Sequence, residues 1–159
     1  MFNATVDVLG AAGYRQYEIS NFARPGCECR HNLLYWRNQP YIGVGPSAAG
    51  CVNGRRYKNV PDIAAYVRRM DESGHAEAES EALTPEMIAL ELVMMQMRLC
   101  DGLSVLDFRQ RLGVDPRHQY AAALGRLVQK GWVTATCHRI ALTRAGMLVA
   151  NRVIAEMVA

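Results

Sequence analysis

Residues able to do chemistry crowd between Tyr17 and Gly50, in the run YEISNFARPGCECRHNLLYWRNQPYIGVGPSAAG. Cys27, Cys29 and His31 alternate there. In an extended segment alternate side chains share one side, so these three could supply three of the four ligands of a tetrahedral metal ion. No fourth donor stands near, and the other reading is two loop thiols with a hydrogen-bonded histidine. His31 and Asn32 sit beside Tyr35 and Trp36. An imidazole among flat rings suits a planar cofactor, since neutral imidazole is an axial haem ligand; the alternative is a core Trp and Tyr with a satisfied His. Gly43-Val44-Gly45-Pro46-Ser47-Ala48-Ala49-Gly50 follows an expected strand. Its glycines let backbone approach a ligand and its small residues leave room for one, although such a turn also serves structure alone. Pro46 and the want of a long following helix separate it from the GxGxxG fingerprint. Glu18 falls inside an expected strand, where a carboxylate is either paired with an arginine or functional. His75, His118 and His138 read as surface residues, and no GxSxG, P-loop or HExxH motif is present.

The elements that must position these residues fall into three textures. Residues 1–60 carry β-like runs at Arg15–Ile19, Tyr41–Val44 and Arg55–Tyr57, each bounded by Gly, Pro or Asn. Before the first of them Ala4–Ala12 reads as the end of a helix, closed by Gly13. Helix, glycine, strand is half of an α/β repeat, which cannot make a sheet by itself. Residues 61–82 read as a linking helix beginning near Pro61, followed by the polar, acidic loop Asp71–Ser80. Residues 83–159 read as a small separate domain. Thr84 caps a helix with Met87–Leu99 as its body, and Ser104 with Asp107 loosely fits a capping box for a second helix, Val105–Leu112. A third runs Gln119–Gln129, with Tyr120, Leu124, Leu127 and Val128 as its core stripe. Trp132–Thr136 and Arg139–Leu142 form a hairpin around Cys137-His138, and Thr143 caps a last helix. Helix, helix, helix, hairpin, helix is a winged-helix order.

Composition narrows the classes. The chain has 159 residues, half of them hydrophobic, 21% charged, with a net charge of +3. That is enough for a real core and too apolar for a disordered tail. Five cysteines, odd in number and irregular in spacing, fit a reducing compartment. With no apolar run of about 18 residues and no signal-like start, the cytoplasm is the expected location. All basic residues but Lys58 and Lys130 are arginine. The third helix presents Gln119, Ala121, Ala122, Gly125, Arg126 and Gln129, and the hairpin adds Arg139. One or two cations are too few for duplex DNA, which needs several phosphate contacts.

Tyr17-Glu18-Ile19-Ser20-Asn21-Phe22-Ala23, His31-Asn32-x-x-Tyr35-Trp36 and Gly43-x-Gly45-Pro46-x-Ala48, in that order, resemble the radical S-adenosylmethionine proteins related to oxygen-independent coproporphyrinogen III oxidase. The likeness leans to their haem-chaperone branch. The stretch from Leu83 to Leu103, with Ile140–Gly146, is similar to that family's C-terminal helical and winged domain, so the resemblance covers nearly the whole chain. It implies an α/β + α architecture: the C-terminal piece of a partial (β/α) barrel in residues 1–60, the link 61–82, and a winged-helix-like domain in 83–159. It implies that Gly43, Gly45, Pro46, Ala48 and Ala49 line the S-adenosylmethionine side, and that His31, Asn32, Tyr35 and Trp36 form the motif associated with haem.

The family's [4Fe–4S] cluster is held by Cys-x-x-x-Cys-x-x-Cys, a spacing that Cys27, Cys29, Cys51, Cys100 and Cys137 do not make. The resemblance therefore expects the cluster and S-adenosylmethionine only in a longer protein. It makes this chain a C-terminal fragment without radical chemistry of its own, Met1 being an internal codon or a truncated start. A partial barrel would leave strand edges and apolar surface uncovered. The implied function is to bind haem and deliver it to a haem-accepting protein, with membrane contact only through that acceptor. Leu34 stands where oxidase-like relatives place a polar residue, which favours the chaperone over the rival, a coproporphyrinogen dehydrogenase that decarboxylates propionates. A second rival is a non-enzymatic winged-helix module binding nucleic acid or protein.

Overall fold

A computed structural model describes all 159 residues, and packing divides them into two compact units. One unit comprises Met1–Asn38 with Ile88–Ala159; the other is Gln39–Met87. No helix is long and apolar enough to cross a membrane.

The first unit opens with α1 (Phe2–Ala11). Gly13, at φ 83°, turns the chain out of it, and the Tyr14 amide donates to the Leu9 carbonyl at 3.0 Å. β1 (Arg15–Glu18) and β2 (Asn21–Ala23) then pair antiparallel with a bulge between Gln16 and Glu18. α2 follows at Arg30–Trp36. It overturns the expectation of an extended run through Cys27, Cys29 and His31: the chain is irregular to Cys29, and helix begins at Arg30.

The rest of this unit comes from the C-terminal half. α4 (Pro85–Gln96) contributes from Ile88 onward and ends three residues sooner than expected. β6 (Leu103–Ser104), α5 (Val105–Leu112), α6 (Pro116–Gln119), α7 (Ala121–Gln129), β7 (Val133–Ala135), β8 (Arg139–Leu142), α8 (Arg144–Met147) and α9 (Ala150–Val158) follow. The strands form one antiparallel sheet in the order β6-β8-β7. Ser104 Oγ caps α5 by accepting from the Asp107 amide at 3.2 Å, and Thr143 Oγ1 caps α8 by accepting from Gly146 at 3.0 Å. Leu92, Val93, Met97, Leu103, Phe108, Leu127, Ile140 and Val153 are fully buried and form one core.

The third helix is not continuous. Tyr120, at φ −108° and ψ 22°, separates α6 from α7, and its ring packs edge-on against Phe108 with centroids 6.2 Å apart. The restart rotates the core stripe to Ala123, Leu124 and Leu127 and leaves the expected core residue Val128 exposed. The last helix is likewise two, α8 and α9.

The second unit holds β3 (Ala49–Val52), β4 (Arg55–Asn59) and β5 (Glu77–Ala82), an antiparallel sheet in chain order. α3 (Ile63–Ser73) lies between β4 and β5, capped by Asp62, which accepts from the Ala65 amide at 2.7 Å. Asn53 and Gly54 both have positive φ (52° and 71°), as a two-residue hairpin turn requires. Two expectations fail here. Tyr41–Val44 is not a strand but a single bridge from Tyr41 to Cys51. Residues 77–82, expected within or beside a loop, form β5 because each acid meets a base: Glu77 pairs with Arg55, Glu81 lies 3.6 Å from Arg56, and Glu79 is in register with Lys58.

Candidate functional site

α2 presents the aromatic and imidazole motif. Cys29 is its N-cap, with its carbonyl accepting from the Leu33 amide at 3.0 Å. One helical turn separates His31 from Tyr35, so their rings meet edge to face, 4.9 Å apart at 87°. His31 is exposed, and Asn32, Tyr35 and Trp36 are half-buried. The Trp36 Nε1–H is buried without a hydrogen-bond partner, so ring contacts hold this indole. One of them is the Arg98 guanidinium, 5.0 Å above the ring centroid.

Arg98 is also what Glu18 was missing. Glu18 is 1% exposed; its Oε1 accepts from Arg98 Nε (3.2 Å) and Nη2 (3.0 Å). Its Oε2 accepts from the Ser20 amide at 2.9 Å and from Asn21 Nδ2 at 2.5 Å. With four donors on two oxygens the buried carboxylate is satisfied, so its role is pairing. Backbone bonds run alongside: Ile19 N donates to Arg98 O and Cys100 N to Tyr17 O, both at 3.1 Å. A cleft of about 280 Å³ lies beside α2, lined by Leu33, Arg37, Arg15, Tyr17, Cys100 and Asp101 among others. Burial, with the Asp101 and Glu18 charges adding, pushes the Cys100 thiol up to about 11, so it stays protonated at neutral pH.

The glycine-rich loop lies in the second unit and is braced by side chains that sequence reasoning missed. Gly43 N donates to Tyr57 Oη (3.0 Å) and Gly45 N to Tyr66 Oη (3.1 Å). Asn59 Nδ2, on a residue 5% exposed, donates to the carbonyls of Gly43 (3.2 Å) and Gly45 (3.0 Å). A Cβ at Gly43 would strike the Ala49 carbonyl, and one at Gly50 the Tyr57 ring. These glycines thus admit the chain's own backbone and tyrosine, with Gly45 at φ 102°. Pro46 and Ala49 are exposed and Ala48 is half-buried.

The donor sets separate the cofactors. No three His, Cys, Asp or Glu residues are grouped to hold a metal ion, so Cys27, Cys29 and His31 do not stand together as a ligand set. An exposed imidazole backed by an aromatic ring does fit an axial haem ligand. At the glycine loop, two amides a ligand would use already serve Tyr57 and Tyr66, leaving Pro46, Ala48 and Ala49 for packing contacts.

Comparison with known proteins matches residues 83–149 to the family described as HemN C-terminal domain. Over 153 residues, 96% of the chain and 40% of the relative, it is 32% identical to the heme chaperone HemW of Bacillus subtilis. The chain is thus similar to HemW proteins over nearly all of its length, and its residues 83–149 match the HemN C-terminal domain. HemW of Mycobacterium tuberculosis is 35% identical over 146 residues, 92% of the chain and 35% of that protein. HemW of Escherichia coli is 28% identical over 157 residues, 97% of the chain and 40% of that protein. The chain thus spans about 40% of the length of these HemW proteins. Among solved structures, the radical SAM enzyme coproporphyrinogen III oxidase (HemN) of Escherichia coli shares the fold, with a TM-score of 0.70 and 20% identity, covering 98% of the chain and 39% of HemN.

Proposed function

We propose that this chain is the C-terminal part of a radical-SAM haem chaperone of the HemW type, and that it contributes the haem-handling surface. The observation that carries the reading is α2: His31 is exposed, turned edge-on to Tyr35, in a chain similar over 96% of its length to a protein named heme chaperone. His31 would hold the haem iron, with Tyr35 and Trp36 as packing surfaces and Asn32 beside them. In the longer protein a [4Fe–4S] cluster and S-adenosylmethionine complete the set. Pro46, Ala48 and Ala49, with Gly43 and Gly45 shaping the turn, would face the S-adenosylmethionine side. Residues 1–60 are the end of the partial (β/α) barrel, 61–82 the link and 83–159 the winged-helix-like domain. The place of work is the cytoplasm, the partners are haem and a haem-accepting protein, and a membrane is met only through that acceptor.

A nucleic-acid role finds little support, since Arg126 and Lys130 are both engaged by Glu156, at 3.5 and 2.9 Å. The oxidase reading, decarboxylation of coproporphyrinogen propionates by the longer protein, is favoured by the shared HemN fold; product analysis of that protein distinguishes it. The direct test is haem titration of this chain followed by Soret absorbance. Saturable one-to-one binding that His31→Ala weakens measurably supports the haem surface, and unchanged affinity in that variant removes His31 from it.

A further inference from the structure

α2 buries no residue of its own, and seven residues are too few to hold a helix without outside contacts. Two arginines of the C-terminal domain supply such contacts. Arg98 covers the Trp36 ring. Arg111 donates from Nη1 to the Asn38 carbonyl (2.7 Å) and from Nη2 to the Arg37 carbonyl (3.3 Å), just past the helix end. Terminal carbonyls of a helix lack intrahelical donors and carry its negative pole, so a guanidinium there satisfies both. Arg111 is itself fixed, its Nε donating to Asp107 Oδ1 at 2.8 Å. Asp107 Oδ2 accepts from Gln96 Nε2 at 2.7 Å, and Gln96 Oε1 accepts from the Ser104 amide at 3.0 Å. Gln96 is buried, so the relay runs from the domain core to the end of α2. Three acceptors around one planar fork need arginine; lysine cannot span them.

We propose that Arg98 and Arg111 are positioning residues for the His31 helix, so that the HemN C-terminal domain sets the aim of the candidate haem ligand without touching haem. This rests on the haem reading above for its functional consequence, but the clamp can be tested apart from it. In amide hydrogen exchange of the haem-free chain, Arg111→Met should speed exchange at residues 33–38 about tenfold or more, the loss of charge-assisted hydrogen bonds. Residues 92–97 and 124–127 should keep their protection, and Arg111→Lys should behave like Arg111→Met. In Soret titration, Arg111→Met should weaken haem binding about ten- to a hundredfold, as loss of a ligand's supporting partner does. It should also alter the Soret position and have no further effect in the His31→Ala background.

Unchanged exchange at residues 33–38, or protection lost throughout the chain in both Arg111 variants, would overturn the clamp. Full additivity with His31→Ala would overturn its action through His31. If instead His31→Ala alone leaves haem affinity unchanged, the haem reading falls, and the exchange result still decides the clamp.

Discussion

Glu18 and Arg98 meet at 3.0 Å across 80 residues of chain, and the meeting is lopsided: the carboxylate is 1% exposed, whereas the arginine side chain keeps 28% of its surface. Removing either partner therefore has different consequences. Arg98→Met strands a buried charge and should cost about 3 kcal/mol, the lower end for a broken buried pair because water still reaches one side. Glu18→Gln leaves the cation able to turn to solvent and should cost about half as much. Urea unfolding of the two variants measures the difference; equal losses would contradict the asymmetry.

Phe108 is fully buried, with the Tyr120 ring edge-on to it. Phe108→Ala should lower stability by about 3–5 kcal/mol through lost burial and a residual cavity. A calorimetric scan should show this as a lowered Tm.

At the glycine loop, Gly43→Ala drives a methyl into the Ala49 carbonyl. The backbone must shift, at about 1–3 kcal/mol. Because Gly43 N would part from Tyr57 Oη, ultraviolet difference spectroscopy of the tyrosines should report the change alongside the fall in Tm.

Thiol chemistry distinguishes the cysteines. Cys27, Cys29 and Cys137 are exposed, and Cys100 is half-buried with its thiol held near 11. Two pH units above the reference value mean about a hundredfold less thiolate at neutral pH. Iodoacetamide followed by peptide mass spectrometry should label the three exposed positions well before Cys100.

Asp115 caps α6 and accepts from Arg117 Nε at 3.0 Å and Nη2 at 2.7 Å, which holds its carboxyl well below the usual carboxylate range. A depressed folded value stabilises the native state above the unfolded carboxylate pKa, and the contribution fades as pH falls through the ordinary range and below. Asp115→Asn should therefore lower Tm at pH 7, and the gap to the parent chain should narrow as the medium is acidified.

The C-terminal domain was legible because its signals are local. Caps at Ser104 and Thr143 and the hairpin before Thr143 stand in the sequence where the structure has them. Glu18 announced that it needed a cation, but nothing local singled out Arg98 among 16 arginines. β5 was illegible for a related reason: a Glu-rich run has poor strand propensity, and the basic strand that makes it pair lies some distance upstream. Asn53-Gly54 is a readable hairpin turn, but the small residues Ala48-Ala49-Gly50 before it do not read as a strand. α2 is hidden by the Cys-x-Cys-x-His alternation, whose period suggests extended chain through His31, already inside the helix that begins at Arg30.

The first unit is interrupted, residues 1–38 completing it only with residues that follow position 87. On the ribosome this fixes an order. The Glu18 carboxylate is without its arginine until Arg98 has been made, 80 residues later. The sheet of the second unit, whose strands are successive neighbours, can close meanwhile. Elongation thus leaves the His31 helix among the last elements to be secured, after Arg111 has left the tunnel.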